Sequence, residues 1–220
     1  MNPIYCVFDG LDGSGKGLQL DLLRERLDRH GIHNGERVVF TREPGGTPLA
    51  EVIREVILGP LAKESTPFNN MLLFLAAREE LMRKLVFPAI LAGKSVISDR
   101  GDSSTFAFQI YGEERFALEE RFWRLREDIF RHSPLRSNGP DIYVFFDLPP
   151  LVAYQRMAGD SARTKTHFDL RPIEYHERVR DGFSDFARQC STAVIVDANR
   201  KPEEVHEEVW SIVSEELGLA

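Results

Sequence analysis

The stretch Val7-Phe8-Asp9-Gly10-Leu11-Asp12-Gly13-Ser14-Gly15-Lys16-Gly17 constrains this chain more than any other. Residues 4–8 form a short apolar run of the kind a buried parallel strand requires. After the glycines, Leu18, Leu20, Leu22, Leu23 and Leu27 recur at helix-compatible spacings, mixed with Gln19, Asp21, Arg24 and Glu25. A strand, a glycine-rich turn and a helix opened by a lysine wrap backbone N–H groups and one ammonium around a polyphosphate. The stretch fits Gly-x-x-x-x-Gly-Lys, which points to a nucleoside triphosphate. Gly17, however, stands where the pattern asks for Ser or Thr, whose hydroxyl helps hold Mg²⁺. An ordinary strand–helix turn is the structural alternative.

Further strands are predicted at residues 37–41, 95–98, 141–147 and 193–196. Helices are predicted at 48–58, 67–92 with a kink at Pro88, 104–109, 115–130, 151–157, 173–189 and 202–216. This alternation predicts an α/β fold, a five-stranded parallel sheet covered by helices on both faces, in one domain over 1–220. Residues 159–169 are polar, lack apolar periodicity and lie between two helices, which suits a mobile lid. Ligands of such sheets sit at the carboxyl ends of the strands. Charge gathers there: Asp9 and Asp12 after the first strand, Arg42-Glu43 after the second, Asp99-Arg100 after the third and Asp147 after the fourth.

Composition excludes several classes. A net charge of −7 argues against a nucleic-acid partner. No apolar run approaches the roughly 20 residues of a membrane span, and the N-terminus enters a strand with no signal-peptide pattern. Two cysteines, Cys6 and Cys190, cannot build a disulfide framework. The expected compartment is the cytoplasm. The chain carries no Asn-Lys-x-Asp guanine reader, no Cys/His zinc set and no Gly-x-Ser-x-Gly nucleophile motif.

Phosphoryl transfer needs positioning and positive charge more than covalent help. Lys16, Arg54, Arg78, Arg100, Arg156, Arg163 and Lys165 offer that charge. Arg78 follows the apolar Leu72-Leu73-Phe74-Leu75-Ala76-Ala77, where a guanidinium needs a partner. Its planar fork can read a base edge or a phosphate. Phe74 lies one turn earlier on the same face, so ring plus guanidinium can read a nucleobase. A salt bridge to a nearby Glu, and for Arg100 a structural pair with Asp99, are the alternatives.

Four motifs together resemble the bacterial thymidylate kinases. They are residues 8–16, Thr41-Arg42-Glu43-Pro44-Gly45-Gly46-Thr47, Leu72-Leu73-Phe74-Leu75-Ala76-Ala77-Arg78, and Asp99-Arg100-x-Asp102-Ser103-Ser104-Thr105-x-Ala107-Phe108-Gln109. The resemblance runs from about residue 4 to residue 197 in family order. It implies a nucleoside monophosphate kinase fold with a short lid, and transfer of the ATP γ-phosphate to dTMP with Mg²⁺. It implies an ATP site from Gly10, Asp12, Gly13, Ser14, Gly15, Lys16, Gly17, Leu18 and Arg156, with Lys16, Asp12, Arg100 and the lid residue Arg163 catalytic. Arg156, Arg163 and Lys165 are the lid arginine or lysine candidates. The acceptor site it implies holds Asp12, Glu43, Pro44, Arg54, Phe74, Arg78, Arg100, Ser104, Thr105, Phe108 and Gln109. Within that site Phe74 stacks on the thymine, Arg78 bonds its O4 edge and Arg100 clamps the phosphate. Phe108 stands for a common Tyr that crowds out a ribose 2′-hydroxyl. Asp12 and Asp99 are the implied metal carboxylates, directly or indirectly. Related enzymes are homodimers, and the apolar 67–92 region allows such an interface here.

Three departures accompany the resemblance: Gly17-Leu18 at the loop's hydroxyl pair, Gly101 where the family carries Tyr or His, and Thr166-His167-Phe168-Asp169 for Asp-Arg-Phe-Glu. The first bears on the metal, the second is expected to enlarge the space near the acceptor sugar or phosphate, and the third bears on lid closure. They leave two alternatives open, a kinase for another or modified pyrimidine deoxynucleotide, and a nucleotide-binding homologue with impaired turnover.

Overall fold

A computed structural model describes residues 3–159 and 166–219. Five strands form one parallel sheet in the order β2-β3-β1-β4-β5: β1 Tyr5–Gly10, β2 Val38–Arg42, β3 Ser95–Asp99, β4 Ile142–Asp147 and β5 Ala193–Asp197. Every predicted strand is present, with ends moved by a residue or two. β1 lies in the middle and is buried along its whole length, as its run of apolar residues requires. Phe8 packs on Phe146 across the β1–β4 pair, ring centroids 5.3 Å apart.

Helix α1 (Lys16–Arg29) follows β1 and packs against the closing helix α10 (Pro202–Leu217). Thr47 caps α2 (Pro48–Leu58), its hydroxyl accepting from the Ala50 N–H at 3.3 Å, and Pro48 begins the helix with its φ already set. A short α3 (Pro60–Lys63), not predicted, joins α2 to α4 (Pro67–Leu81). The predicted long helix over 67–92 is interrupted: α4 passes through a π-helical segment, Met82–Val86, into α5 (Phe87–Leu91). Pro88 lacks the N–H that would bond the carbonyl of residue 84, and its ring crowds that carbonyl, so the ladder widens just before it.

One interrupted helix and a pair of helices carry the rest of the site. α6 (Asp102–Thr105) widens into a π-helical segment, Phe106–Gly112, and α7 (Glu119–Phe130) follows. α8 (Pro150–Gly159) and α9 (Ile173–Gln189) flank residues 160–165, so Arg163, Lys165 and most of the predicted lid lie outside the described residues. The 106–112 segment packs tightly on α9. A Cβ on Gly182 would stand 2.8 Å from the Ala107 Cα, so only glycine lets the two backbones meet.

Candidate active site

The loop between β1 and α1 is built from backbone. Gly13 and Gly15 sit at φ 80° and 90°, in the left-handed region open to glycine. A Cβ on Gly13 would meet the Ala153 carbonyl oxygen at 2.5 Å, and one on Gly10 the Phe146 oxygen at 2.6 Å. The turn is therefore pressed between β4 and α8 and presents its N–H groups at the start of α1. Lys16 is buried, and its ammonium donates to the carbonyls of Gly10 (3.0 Å) and Leu11 (2.8 Å) and to Ser14 Oγ (3.3 Å). Burial, reinforced by the Arg100 cation, lowers its pKa to about 8. Asp12, Gly13, Gly15, Lys16, Gly17, Arg156 and Asp99-Arg100 line a cavity of about 360 Å³ around this loop. Arg156 reaches it from α8 and donates to the Ala198 carbonyl. A Cβ on Gly17 meets nothing within 4 Å, so the missing hydroxyl leaves open space. The Leu18 side chain is half exposed and does not line this cavity.

A second cavity of about 340 Å³ shares Asp12, Asp99 and Arg100 with the first. Its walls include Glu43, Pro44, Arg54, Phe74, Ser104, Phe108 and Gln109, all predicted. Arg54 donates to the Pro44 carbonyl at 2.7 Å, a bond that leaves its charge uncancelled; burial and the neighbouring Arg42 lower its pKa. Arg100 holds a left-handed backbone at φ 72°, a conformation that costs a non-glycine residue about 1 kcal/mol and persists only when contacts over-determine it. The contacts are there. Arg100 donates to Asp9 Oδ1 (3.2 Å), the Gly10 carbonyl (3.1 Å) and Ser104 Oγ (2.9 Å), and it pairs with Asp12 (3.1 Å). Its ion-pair partners are thus Asp9 and Asp12, and not the Asp99 considered as the structural alternative.

Arg78 is almost wholly buried. Its Nε donates to Glu43 Oε2 at 2.7 Å, and Nη2 donates to the Gly101 carbonyl (2.9 Å) and Thr105 Oγ1 (3.0 Å). The salt bridge considered as an alternative is real, yet Nη1 remains buried without a partner, as does Gln109 Oε1. Such unmet groups cost free energy unless a ligand completes them. Burial pushes Glu43 up to about 7, although Arg78 beside it favours the carboxylate. Thr105 does not line the cavity; its hydroxyl accepts from Arg78.

Gly101 departs from expectation. A Cβ there would meet Val7 Cγ1 at 2.8 Å, so the space a larger residue would take lies against the core strand and not in the acceptor cavity. Sequence reasoning also missed contributors. Asp9, fully buried, accepts from the N–H of Gly10 and Gly101, from Ser103 and Ser104 Oγ (2.7 Å each), and from Arg100. A carboxylate inside an apolar strand was its signal. Thr166 and Phe168 line the acceptor cavity, and the Phe168 ring stands 6.4 Å from Phe74 and 6.3 Å from Phe108.

A parallel sheet with a phosphate loop at its centre, and a second cavity sharing three side chains with it, defines a P-loop phosphotransferase of the nucleoside monophosphate kinase kind. Comparison with known proteins narrows the class. A family profile described as thymidylate kinase matches residues 8–209. The thymidylate kinase of Symbiobacterium thermophilum is 37% identical over 215 residues, covering 97% of this chain and 94% of that protein. The thymidylate kinase of Chromobacterium violaceum is 38% identical over 197 residues, covering 89% and 86%. The crystal structure of thymidylate kinase from Ehrlichia chaffeensis superposes with a TM-score of 0.72 at 28% identity, covering 97% of this chain and 99% of that one. The chain belongs to the thymidylate kinase family.

Proposed function

We infer that this protein is an ATP-dependent kinase that transfers the γ-phosphate to dTMP, giving dTDP and ADP. One observation carries the reading. The acceptor cavity has Arg54 and Arg100 for a phosphate dianion and the rings of Phe74 and Phe108 for a flat base. Gln109, in the wall, keeps a buried acceptor unmet, and Arg78, outside the lining and bonded to the wall residue Glu43, keeps a buried donor unmet. An acceptor phosphate oxygen attacks the γ-phosphorus and the β–γ bridging oxygen leaves with ADP, so charge on the transferring group is what must be stabilised. Lys16, now held by carbonyls of its own loop, has the reach to exchange them for phosphate oxygens. Arg100, shared by both cavities, sits where the two phosphates approach. Arg163 of the lid is proposed as a further cation on the transferring group.

The residues fit Mg²⁺. Asp99 Oδ1 is buried without a hydrogen-bond partner, and Asp99 and Asp12 line both cavities. Among the described residues no set of three or more His, Cys, Asp or Glu could hold a metal alone. That suits a cation bound by one or two carboxylates together with substrate phosphates. Asp99 and Asp12 would hold it, and bound there it would neutralise charge on the bridging phosphates.

We further propose one kinase domain with a lid at 159–169, acting in the cytoplasm as a homodimer with no nucleic-acid or membrane partner. Among the described residues no helix is long and apolar enough to cross a membrane. The 67–92 region buries Met71, Leu75, Leu81, Met82 and Val86 in the core and exposes Leu72 and Leu91; α2 exposes Leu49, Val52 and Val56. Those three share a helical stripe and support the dimer. Sedimentation tests it: a monomer at micromolar concentration would remove this part of the reading. For the activity, ADP release is measured with ATP, Mg²⁺ and a panel of dTMP, dUMP, UMP, dCMP, dGMP and dAMP. Preferred turnover of dTMP is expected; turnover of another acceptor, or of none, overturns it.

A further inference from the structure

Behind the acceptor cavity lies a second buried ion pair that the reaction does not use. Asp102, fully buried at the start of α6, accepts from Arg126 Nε on α7 and from the Tyr143 hydroxyl (2.7 Å) on β4. Arg126 is largely buried, its side chain 14% exposed. Its Nη1 donates to the Asn138 carbonyl (2.8 Å) and its Nη2 to Tyr143 Oη (3.2 Å), while its guanidinium lies over Trp123 and Phe130. A Cβ on Gly139 would collide with the same Nη2, so the 137–140 loop closes directly over it. Three of its five N–H groups are spent on Asp102, Asn138 and Tyr143, and Arg126 does not line the acceptor cavity.

The pair matters because of what stands beside it. Arg78 is bonded to Gly101 and Thr105, the residues that flank Asp102 in the same turn. Two carboxylates, Glu43 and Asp102, and two guanidiniums, Arg78 and Arg126, therefore share one low-dielectric region, with the Tyr5 hydroxyl donating to Glu43 Oε1 at 3.1 Å and that of Tyr143 to Asp102. The charges balance only if each carboxylate keeps its own arginine. Burial acts against the Asp102 carboxylate, yet Arg126 first and Arg78 second hold its pKa below the usual range; Asp102 in turn helps push Glu43 upward. Remove Arg126, and Arg78 is the nearest cation left for Asp102.

We propose that Arg126 is a positioning residue for acceptor recognition: by neutralising Asp102 from behind, it leaves Arg78 paired with Glu43 and aligned to the acceptor base. The inference rests on the dTMP reading above. It places a determinant of base selectivity on α7, away from both cavities.

The test measures affinity and selectivity together. Calorimetric titrations with dTMP and, separately, with ATP are made on wild type, R126M, R126K and D102N/R126M. The ratio of kcat/KM for dTMP over dCMP is then measured on each, since cytosine presents an amino donor where thymine has O4. In R126M we expect dTMP affinity to fall at least tenfold, ATP affinity to stay within twofold and the dTMP preference to fall at least tenfold. D102N/R126M, which removes the unpaired carboxylate, is expected to recover both to within about threefold. R126K, which keeps the charge that neutralises Asp102, should hold dTMP affinity within about threefold; if R126M alone does not fold, R126Q, which removes the charge at similar size, should weaken dTMP at least tenfold. Unchanged dTMP affinity and preference in folded R126M or R126Q, equal losses for dTMP and ATP, R126K as weak as the uncharged variant, or a double variant worse than R126M would overturn the proposal. Because affinity is read by calorimetry, wild type that binds dTMP without turning it over counts against the function proposed above and not against this pair.

Discussion

The two cavities meet at Asp12, Asp99 and Arg100 but are made by opposite means. The loop around Lys16 is a contiguous piece of backbone, shaped by glycines that tolerate positive φ and by carbonyls of β4 and α8 that leave no room for a Cβ. The acceptor cavity is made of side chains from β2, α2, α4, β3, the 102–112 helix and the lid end, held by buried ion pairs. A backbone site recognises a generic polyphosphate through N–H groups and one cation. A side-chain site can distinguish bases, because removing one partner leaves another buried group unmet.

That contrast sets the order of the predictions. The largest effect belongs to the shared chemistry: Lys16→Ala should lower kcat by roughly 10²–10³ with dTMP affinity nearly unchanged, since one donor to developing charge is lost. A loss confined to KM would break the assignment. Next comes the acceptor side. Arg78→Met should lower kcat/KM for dTMP by about a hundredfold and leave the ATP KM within about twofold, because Glu43, Gly101 and Thr105 lose the guanidinium that joins them. Equal losses for both substrates would erase the distinction between the cavities.

A pH titration sharpens it. The Lys16 ammonium must be charged to hold phosphates, and burial lowers its pKa to about 8. ATP affinity of the free enzyme should therefore fall as pH rises through about 8, approaching about tenfold per pH unit above it. Calorimetry across pH 7–9.5 measures this, and a flat profile would show that Lys16 keeps its proton throughout. The smallest effect is at Gly17. A side chain there has open space, so Gly17→Ser should lower the Mg²⁺ concentration for half-maximal rate by a few-fold, at unchanged dTMP KM. An unaltered metal response would mean that Asp99, Asp12 and the phosphates suffice.

Much of the donor site was legible in residues 4–17. A strand's apolar run, glycines at fixed offsets and a lysine opening a helix are all local, so spacing alone conveys the geometry. The acceptor residues were identifiable through their motifs, but their roles were not. That Arg78 spends its Nε on Glu43, 35 positions away in sequence, could not be read from either segment. Neither could the five-way hub at Asp9, nor Gly101 facing Val7 in place of the acceptor. The interruption at Met82–Val86 was half visible, since Pro88 marked the place without saying that the ladder would widen ahead of it.

The order of elements, the phosphate loop and the charged residues at the strand ends follow from short-range physics: apolar periodicity, the φ each residue tolerates and the N–H groups a helix start leaves unpaired. Which carboxylate meets which guanidinium follows from the sheet order, which sets β1 between β3 and β4 and so brings residues 5, 9, 43, 78, 100, 102, 126 and 143 into one low-dielectric region. There burial penalises every unpaired charge, and partners are chosen by distance in space, a quantity that spacing along the chain does not encode.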